Sequence, residues 1–179
     1  RRVHGDFLVL WNLFPALKMT LSSPVVSGTQ LHNVFVYGTL LAEEVLTVLL
    51  NRIPSYSSAT LPGYHRFSIT GRVYPAIKPV VGSQVVGKVI SGISDTELMI
   101  FDEFEDSEYD RSVVTVNLGD DSKELSCYAY VWHEKEDAKL YGAWNYEEWR
   151  AVHLEEYVKM CVTFKEELVI SAATLPKNM

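Results

Sequence analysis

An acidic run in the middle of the chain contains the side chain best suited to move a proton. Six of the nine residues from Asp102 to Asp110 are acidic, and most such carboxylates lie in solvent at a helix end. Phe101 and Glu105, however, are one helical turn apart and share a face. If Phe101 is buried, Glu105 also faces the interior. Burial and neighbouring carboxylates would raise its pKa, which suits a general base near neutral pH.

Carboxylates also suggest a metal site, which the spacing does not favour. The run lacks the Asp-x-Asp-x-Asp-Gly pattern of a calcium loop, and its sixth position is not glycine. The histidines that could assist are scattered and show no metal-ligand spacing, as at His32, His65, His133 and His153. We therefore expect neither a metal nor a cofactor.

A second candidate site is the stretch Tyr37-Gly38-Thr39-Leu40, which follows an apolar predicted strand at Val34–Val36. Glu43 and Glu44 fit the first turn of a following helix, because carboxylates complement the positive end of its dipole. Gly38 lets the backbone turn where a side chain would clash. The N–H groups of such a turn converge on a spot that binds carboxylates, phosphates or a developing oxyanion. A strand-to-helix turn that merely needs a glycine is the alternative.

Composition limits the class of protein. The 179 residues are 47% hydrophobic and 22% charged, which predicts one globular domain with a substantial core. The net charge of −7 argues against a nucleic-acid partner, and no apolar stretch is long enough to span a membrane. Cys127 and Cys161 are far apart in sequence and fit reduced, buried thiols of an intracellular, cytoplasmic protein; one disulfide between them is the alternative.

The first residues resemble a signal peptide only in part. Arg1 and Arg2 precede an apolar run, Phe7 to Leu17, but Pro15 interrupts it and no small-x-small cleavage site follows. We predict that residues 1–30 form a non-native or disordered N-terminal extension. The folded domain is then expected over residues 31–170, with a tail at 171–179.

The elements that must position both candidate sites are short. A helix over residues 42–51, ended by Pro54, should follow the first strand. Strands at 57–61 and 64–70 are predicted to meet at a Pro62-Gly63 turn. An irregular, partly extended segment over 72–77 and a strand over 84–90 follow.

A capping box from Ser94 to Glu97 predicts a helix that leads into the acidic run. A hairpin is expected from strands at 111–117 and 124–132. Asn145 should cap a long last helix, whose apolar residues recur at helical spacing as Trp149, Val152, Tyr157, Met160, Phe164 and Leu168. Short strands with few helices predict one α+β domain around a closed or nearly closed sheet.

Five motifs occur in a recognisable order: Val36 to Leu40, the Pro-Gly turn, Tyr74-Pro75-Ala76, Gly87-Lys88-Val89, and Phe101-Asp102-x-x-Glu105 with Tyr109 and Arg111. This order resembles the gamma-glutamylcyclotransferase-like family over roughly residues 32 to 131. It is most similar to the branch of plant avirulence-induced proteins, to which the tryptophan-rich C-terminal helix is also similar.

The resemblance implies a small mixed β-barrel with flanking helices and a long C-terminal helix. It also implies an acyltransferase that releases an amine or amino acid from a small gamma-glutamyl compound as 5-oxoproline forms. By position, Tyr37, Gly38, Thr39 and Leu40 would bind the substrate, and Glu105 would be the catalytic acid/base.

Two positions depart from the family pattern. Thr39-Leu40 replace a frequent Ser-Asn, and Asp106 replaces a frequent glycine after the glutamate. Both departures bear on which gamma-glutamyl compound is the substrate.

The supporting residues have two interpretations each. Tyr109 either orients the substrate or Glu105 or is a structural hydroxyl, and Tyr74 either lines the pocket or packs in the core. Arg111 is expected to neutralise the acidic run.

Two other functions fit the same residues. The first is a non-catalytic ligand-binding or stress/defence-response interaction protein on the same fold, motivated by the altered loop and the missing glycine. The second is a hydrolase that uses Asp102 and Glu105 as a carboxylate pair.

Overall fold

The computed structural model of the protein describes residues 30–119, 123–134 and 137–174. The predicted extension, apart from Gln30, and the end of the predicted tail lie outside these residues. Six strands and three helices follow one another within these described residues: β1 (His32–Val36), α1 (Glu43–Leu50), β2 (Ser55–Ile69), β3 (Pro75–Ile93), α2 (Asp95–Glu105), β4 (Tyr109–Leu118), β5 (Lys123–Trp132), β6 (Leu140–Tyr141) and α3 (Tyr146–Thr174). Single 3₁₀ turns cover Thr39–Leu41 and Asp106–Glu108.

The strands form one mixed sheet in the order β3-β1-β5-β4-β2-β6, and an additional β2–β3 pairing closes it into a ring. Strand β1 pairs antiparallel with β3 and parallel with β5. Because successive side chains of a strand point to opposite faces, β1 contributes to two hydrophobic cores, one on each face of the sheet. Phe35 packs inside the ring with residues of the other long strands, whereas Val34 and Val36 face the helices. The predicted α+β class, with a mixed ring of strands and a long C-terminal helix, is confirmed.

The two longest strands differ from the prediction. The Pro62-Gly63 pair does not join two strands by a turn, because β2 continues through it with only a shift of register. Gly63 has a φ of 76°, which accommodates a bulge, and a proline without an N–H is tolerated there. The partly extended segment predicted at 72–77 includes the start of β3 at Pro75, and β3 runs to Ile93, so it is much longer than the strand predicted at 84–90.

The observed helices match the predicted ones more closely than the strands do. Val45, Leu46, Leu49 and Leu50 are buried in α1 as predicted, but Asn51 in the left-handed conformation ends it, rather than Pro54. Both bonds of the Ser94–Glu97 capping box are present at the start of α2.

The C-terminal helix α3 lies against α1 and the helix-facing core. The Asn145 side chain accepts hydrogen bonds from the N–H groups of Glu147 and Glu148 at 2.9 and 3.2 Å, which confirms the predicted cap. Trp149, Tyr157 and Phe164 are buried, whereas Val152 is exposed, contrary to the expected apolar face. Among the described helices, none is both long and apolar enough to cross a membrane.

Candidate functional site

Glu105 is the last residue of α2. Phe101, one turn earlier, is fully buried, so the two side chains share the inward face that the sequence predicted. The Glu105 side chain is half-buried, and burial raises the pKa of its carboxyl group to about 8. Neighbouring carboxylates, which we expected to contribute, are not a resolved cause.

The charge of this carboxyl group acts on five buried or half-buried tyrosines. Burial is the main cause of the raised pKa of five tyrosines, and the negative charge of Glu105 raises each of them further: Tyr37, Tyr74, Tyr109, Tyr130 and Tyr157. They come from the end of β1, the segment before β3, β4, β5 and α3. The fold therefore brings the predicted Tyr37, Tyr74 and Tyr109 together with Glu105.

The loop after β1 is built around a close approach to β3. The φ of Gly38 is −123°, outside the left-handed region that favours glycine, and a close contact gives a steric reason for glycine here. A Cβ added at Gly38 would lie 2.8 Å from Cγ and 3.0 Å from Cδ of Pro75. The Tyr-Gly-Thr loop and the Tyr-Pro-Ala segment, two separate sequence motifs, are thus packed against each other.

Replacing Gly38 with alanine should test this packing. The added methyl group is expected to destabilise the protein by about 1–3 kcal/mol, the usual cost of overpacking. Replacing Pro75 with alanine in the same chain removes the atoms it meets, so the double variant should recover about 1 kcal/mol or more in a double-mutant cycle of urea unfolding. Strictly additive losses would mean that the two residues do not interact.

Three N–H groups of the loop are not used by its 3₁₀ turn. Leu41 and Ala42 close the 3₁₀ turn through bonds of 3.0 and 3.1 Å to carbonyl oxygens three residues earlier. Among the described residues, no backbone hydrogen bond outside the helices and strands starts from the N–H groups of Gly38, Thr39 or Leu40. The Leu40 side chain is buried in the core, so only its backbone is available for binding.

Hydrogen bonds fix the loop from three directions. The Tyr37 hydroxyl donates to the carbonyl oxygen of Tyr130 at 2.5 Å, and Nη1 of Arg66 donates to the carbonyl oxygen of Tyr37 at 2.6 Å. Oγ1 of Thr39 lies 3.2 Å from the hydroxyl of Tyr157. The sequence analysis missed Arg66, Tyr130 and Tyr157 as parts of this site, because they lie far from both motifs along the chain.

The hydroxyls of the other two predicted tyrosines have structural partners. Tyr109 donates to the carbonyl oxygen of Pro75 at 2.7 Å, and Tyr74 donates to Oε2 of Glu108 at 2.8 Å. Arg72 also contacts Glu108, at 3.3 Å. Tyr74 and Tyr109 therefore hold the segment at the start of β3 in place beside Glu105.

Asp102 does not pair with Glu105. Its Oδ1 accepts a hydrogen bond from the Tyr130 hydroxyl at 2.7 Å, and its Oδ2 forms an ion pair with Arg111 at 2.6 Å. Arg111 thus neutralises part of the acidic run, as expected. With both oxygens of Asp102 engaged, the structure gives no support to a hydrolase that uses this carboxylate pair.

The residue after Glu105 is strained. Asp106 has a φ of 56° and a ψ of −169°, close to a region that is essentially reserved for glycine and costs about 1–3 kcal/mol. This is the position at which the resemblance led us to expect glycine. The Asp106 carboxylate accepts a hydrogen bond from the N–H of Ser107, which offsets a part of the strain.

Replacing Asp106 with glycine should therefore stabilise the protein. We expect a gain of about 1 kcal/mol after the extra chain entropy of glycine is subtracted, which corresponds to roughly 2–4 °C in Tm. The matched control is Asp106→Ala, which keeps the strain and loses the bond to Ser107, and should melt below the wild type. Equal melting temperatures for the two variants would contradict a strained backbone.

Sequence comparisons with known proteins point to a single family. A sequence model described as gamma-glutamyl cyclotransferase, AIG2-like, matches residues 34–151. The chain is 54% identical over 155 residues to AIG2-like protein D of Arabidopsis thaliana, covering 86% of this chain and 99% of that protein.

Solved structures with a similar fold come from the same group of proteins. A solution structure of an Arabidopsis thaliana protein is 41% identical, with a TM-score of 0.61 over 87% of this chain and 93% of that one. A structure described as gamma-glutamyl cyclotransferase is 18% identical, with a TM-score of 0.56 over 84% of this chain and 91% of that one. At that identity the likeness shows the fold alone.

Proposed function

The chain belongs to the gamma-glutamyl cyclotransferase, AIG2-like family, and we propose on this basis that it is a gamma-glutamylcyclotransferase. It would release an amine or amino acid from a gamma-glutamyl compound with formation of 5-oxoproline. The observation that carries the proposal is Glu105, a half-buried carboxyl group of raised pKa among five tyrosine hydroxyls and beside the Tyr37–Leu40 loop.

The reaction does not require a covalent bond between the substrate and the protein. The α-amine of the gamma-glutamyl group attacks its own γ-carbonyl carbon, forming a five-membered ring. The bond from that carbon to the leaving nitrogen then breaks. Because the attack is intramolecular, no serine or cysteine nucleophile is required. The protein must fold the substrate, allow two protons to pass from the α-nitrogen to the leaving nitrogen, and stabilise the oxyanion.

Glu105 supplies the proton transfer in this proposal. As a carboxylate it removes a proton from the α-ammonium group, and as a carboxylic acid it returns the proton to the leaving nitrogen. The α-nitrogen loses its second proton as the lactam forms, and the released amine takes up a proton to become an ammonium ion. A pKa of about 8 lies close to the pH at which both forms are available, the condition that favours general acid–base catalysis.

The Tyr37–Leu40 loop supplies binding. The N–H groups of Gly38, Thr39 and Leu40 would donate to the substrate carboxylate or to the oxyanion. Tyr37, Tyr74 and Tyr109 would form the walls that keep water from the reacting atoms.

The decisive experiment measures 5-oxoproline released by the purified protein from gamma-glutamyl amines, gamma-glutamyl amino acids and glutathione. The proposal requires turnover of at least one of these classes. A protein that binds such compounds but releases no 5-oxoproline would instead be the non-catalytic ligand-binding or stress/defence-response protein. The strained Asp106 beside Glu105 is the observation that favours this second candidate.

A further inference from the structure

A groove separate from the site around Glu105 lies between the start of α1, strand β3 and the start of α3. It has a volume of about 590 Å³, in the range of small-molecule pockets. Neither Glu105 nor the Tyr37–Leu40 loop lines it. We call it the charged groove, after the two glutamates of α1 and the two cations from β3 and α3 that lie in it beside two aliphatic residues: Glu43, Glu44, Lys88, Arg150, Leu41 and Ile53.

One pair of charges in the charged groove is already neutralised. Both carboxylate oxygens of Glu44 accept hydrogen bonds from Arg150, at 2.7 and 3.0 Å. Nη1 of Arg150 also donates to the hydroxyl of Tyr146 at 3.4 Å. This bidentate pair fixes the side chains on the α1–α3 side of the groove, and it leaves Arg150 and Glu44 little attraction for a further charge.

The other two charges are held by one tyrosine without meeting each other. Nζ of Lys88 lies 4.1 Å from the centroid of the Tyr56 ring, and Oε1 of Glu43 accepts a hydrogen bond from the Tyr56 hydroxyl at 3.3 Å. Among the residues that the structure describes, neither the Lys88 ammonium group nor the Glu43 carboxylate forms an ion pair. A cation and an anion thus stand side by side, each free to bind an opposite charge.

Lys88 belongs to the Gly87-Lys88-Val89 motif, for which the proposed function has no role. Gly87 is needed for packing, because an added Cβ would clash with the carbonyl oxygen of Val36 and the ring of Phe35. Val89 is buried inside the ring of strands. Lys88 is half-buried and lines the charged groove instead, so packing in the core does not account for it.

The balance of charge selects the class of ligand. Two glutamates and two cations line the groove, so their formal charges cancel and the groove favours neither a net anion nor a net cation. Lys88 and Glu43 instead complement a molecule that carries a carboxylate and an ammonium group close together. Leu41 and Ile53 add apolar surface, and Ile53 is 48% exposed, which suits an aliphatic side chain.

We propose that the charged groove binds a free α-amino acid with an aliphatic side chain. The α-carboxylate of the ligand accepts from the Lys88 ammonium group, and its α-ammonium group donates to Glu43. Its side chain packs on Leu41 and Ile53. The inference goes beyond the proposed function and does not depend on whether the protein turns over a gamma-glutamyl compound.

The test is an NMR titration of the full, isotope-labelled chain with L-leucine. We expect saturable shifts of the amide signals of Leu41, Thr47 and Lys88, with a Kd of about 1 mM or below. Two analogues each lack one charge, since isopentylamine has no carboxylate and isocaproate has no ammonium group. Each should bind about 10-fold more weakly than L-leucine, the factor expected for one lost charge-assisted hydrogen bond.

Variants identify the two charged contacts. Lys88→Met and Glu43→Gln should each weaken L-leucine binding by about 10-fold. The matched controls are Lys78→Met, on the same strand as Lys88, and Glu124→Gln, on β5. Neither control residue lines the groove, so both control variants should bind L-leucine as the wild type does. If one groove variant does not fold, the other variant and the analogues decide.

The inference is overturned by the absence of a saturable shift, by an analogue that binds as tightly as L-leucine, or by unchanged affinity in a folded groove variant. Shifts confined to residues 104–106 would also overturn it, because L-leucine would then occupy the site around Glu105. Release of 5-oxoproline is measured separately. Binding of L-leucine in the groove without any such release supports the inference and rejects the proposed enzyme, and the converse result rejects the inference alone.

Discussion

Replacing Glu105 with glutamine is expected to lower kcat for 5-oxoproline formation by about 10²–10⁴-fold, the usual contribution of a general acid–base group. Glutamine keeps the shape of the side chain but cannot take up the proton of the α-ammonium group. Substrate binding should survive, because the loop N–H groups act independently of the base. Product release and substrate-induced thermal stabilisation are the two measurements.

The matched control for this variant is Glu103→Gln. Glu103 belongs to the same acidic run but is exposed, so the same chemical replacement is made outside the buried site and should leave kcat unchanged. Similar losses in both variants would point to a general electrostatic effect. Full activity of Glu105→Gln would remove Glu105 from the mechanism.

The same burial should make the stability of the protein depend on pH. The pKa of Glu105 is raised from 4.5 to about 8 in the folded state, so the folded protein holds its proton more tightly than the unfolded chain. Its contribution to the free energy of unfolding is therefore fully present below about pH 4.5 and is lost as pH rises through about 8. A shift of this size corresponds to a loss on the order of 4 kcal/mol.

The difference between wild type and Glu105→Gln isolates this effect, because all other titrating groups are shared. We expect the two proteins to have similar stability near pH 4.5 and the variant to be more stable by several kcal/mol at pH 8.5. Urea unfolding at pH 4.5, 6.5 and 8.5 provides the measurement, with Glu103→Gln as the control. Parallel curves for wild type and Glu105→Gln would mean that the pKa is not raised.

The loss of activity and the gain of stability in Glu105→Gln both follow from the burial of this carboxyl group. Burial brings the pKa of Glu105 into the range useful for proton transfer, and the same burial destabilises its ionised form. The glutamine variant should therefore be a more stable and inactive protein at alkaline pH, which is a common relation between stability and activity at functional sites.

Local features of this protein could be predicted from the sequence because neighbours along the chain determine them. The capping box at Ser94 depends on residues three positions apart, and the buried face of α1 depends on helical spacing. The inward direction of Glu105 followed from Phe101 one turn earlier. The family, with its fold, also followed from the order of short motifs.

Long-range pairing and packing were decided only by the tertiary structure. Pro62-Gly63 has the composition of a turn, but β2 continues through it because β3 pairs with residues on both sides. Position 38 requires a glycine because Pro75 packs directly against it, and no local sequence pattern reveals this contact. Tyr130 and Tyr157 look like ordinary core residues of a strand and a helix, and only ring closure and the docking of α3 place their hydroxyls near Glu105.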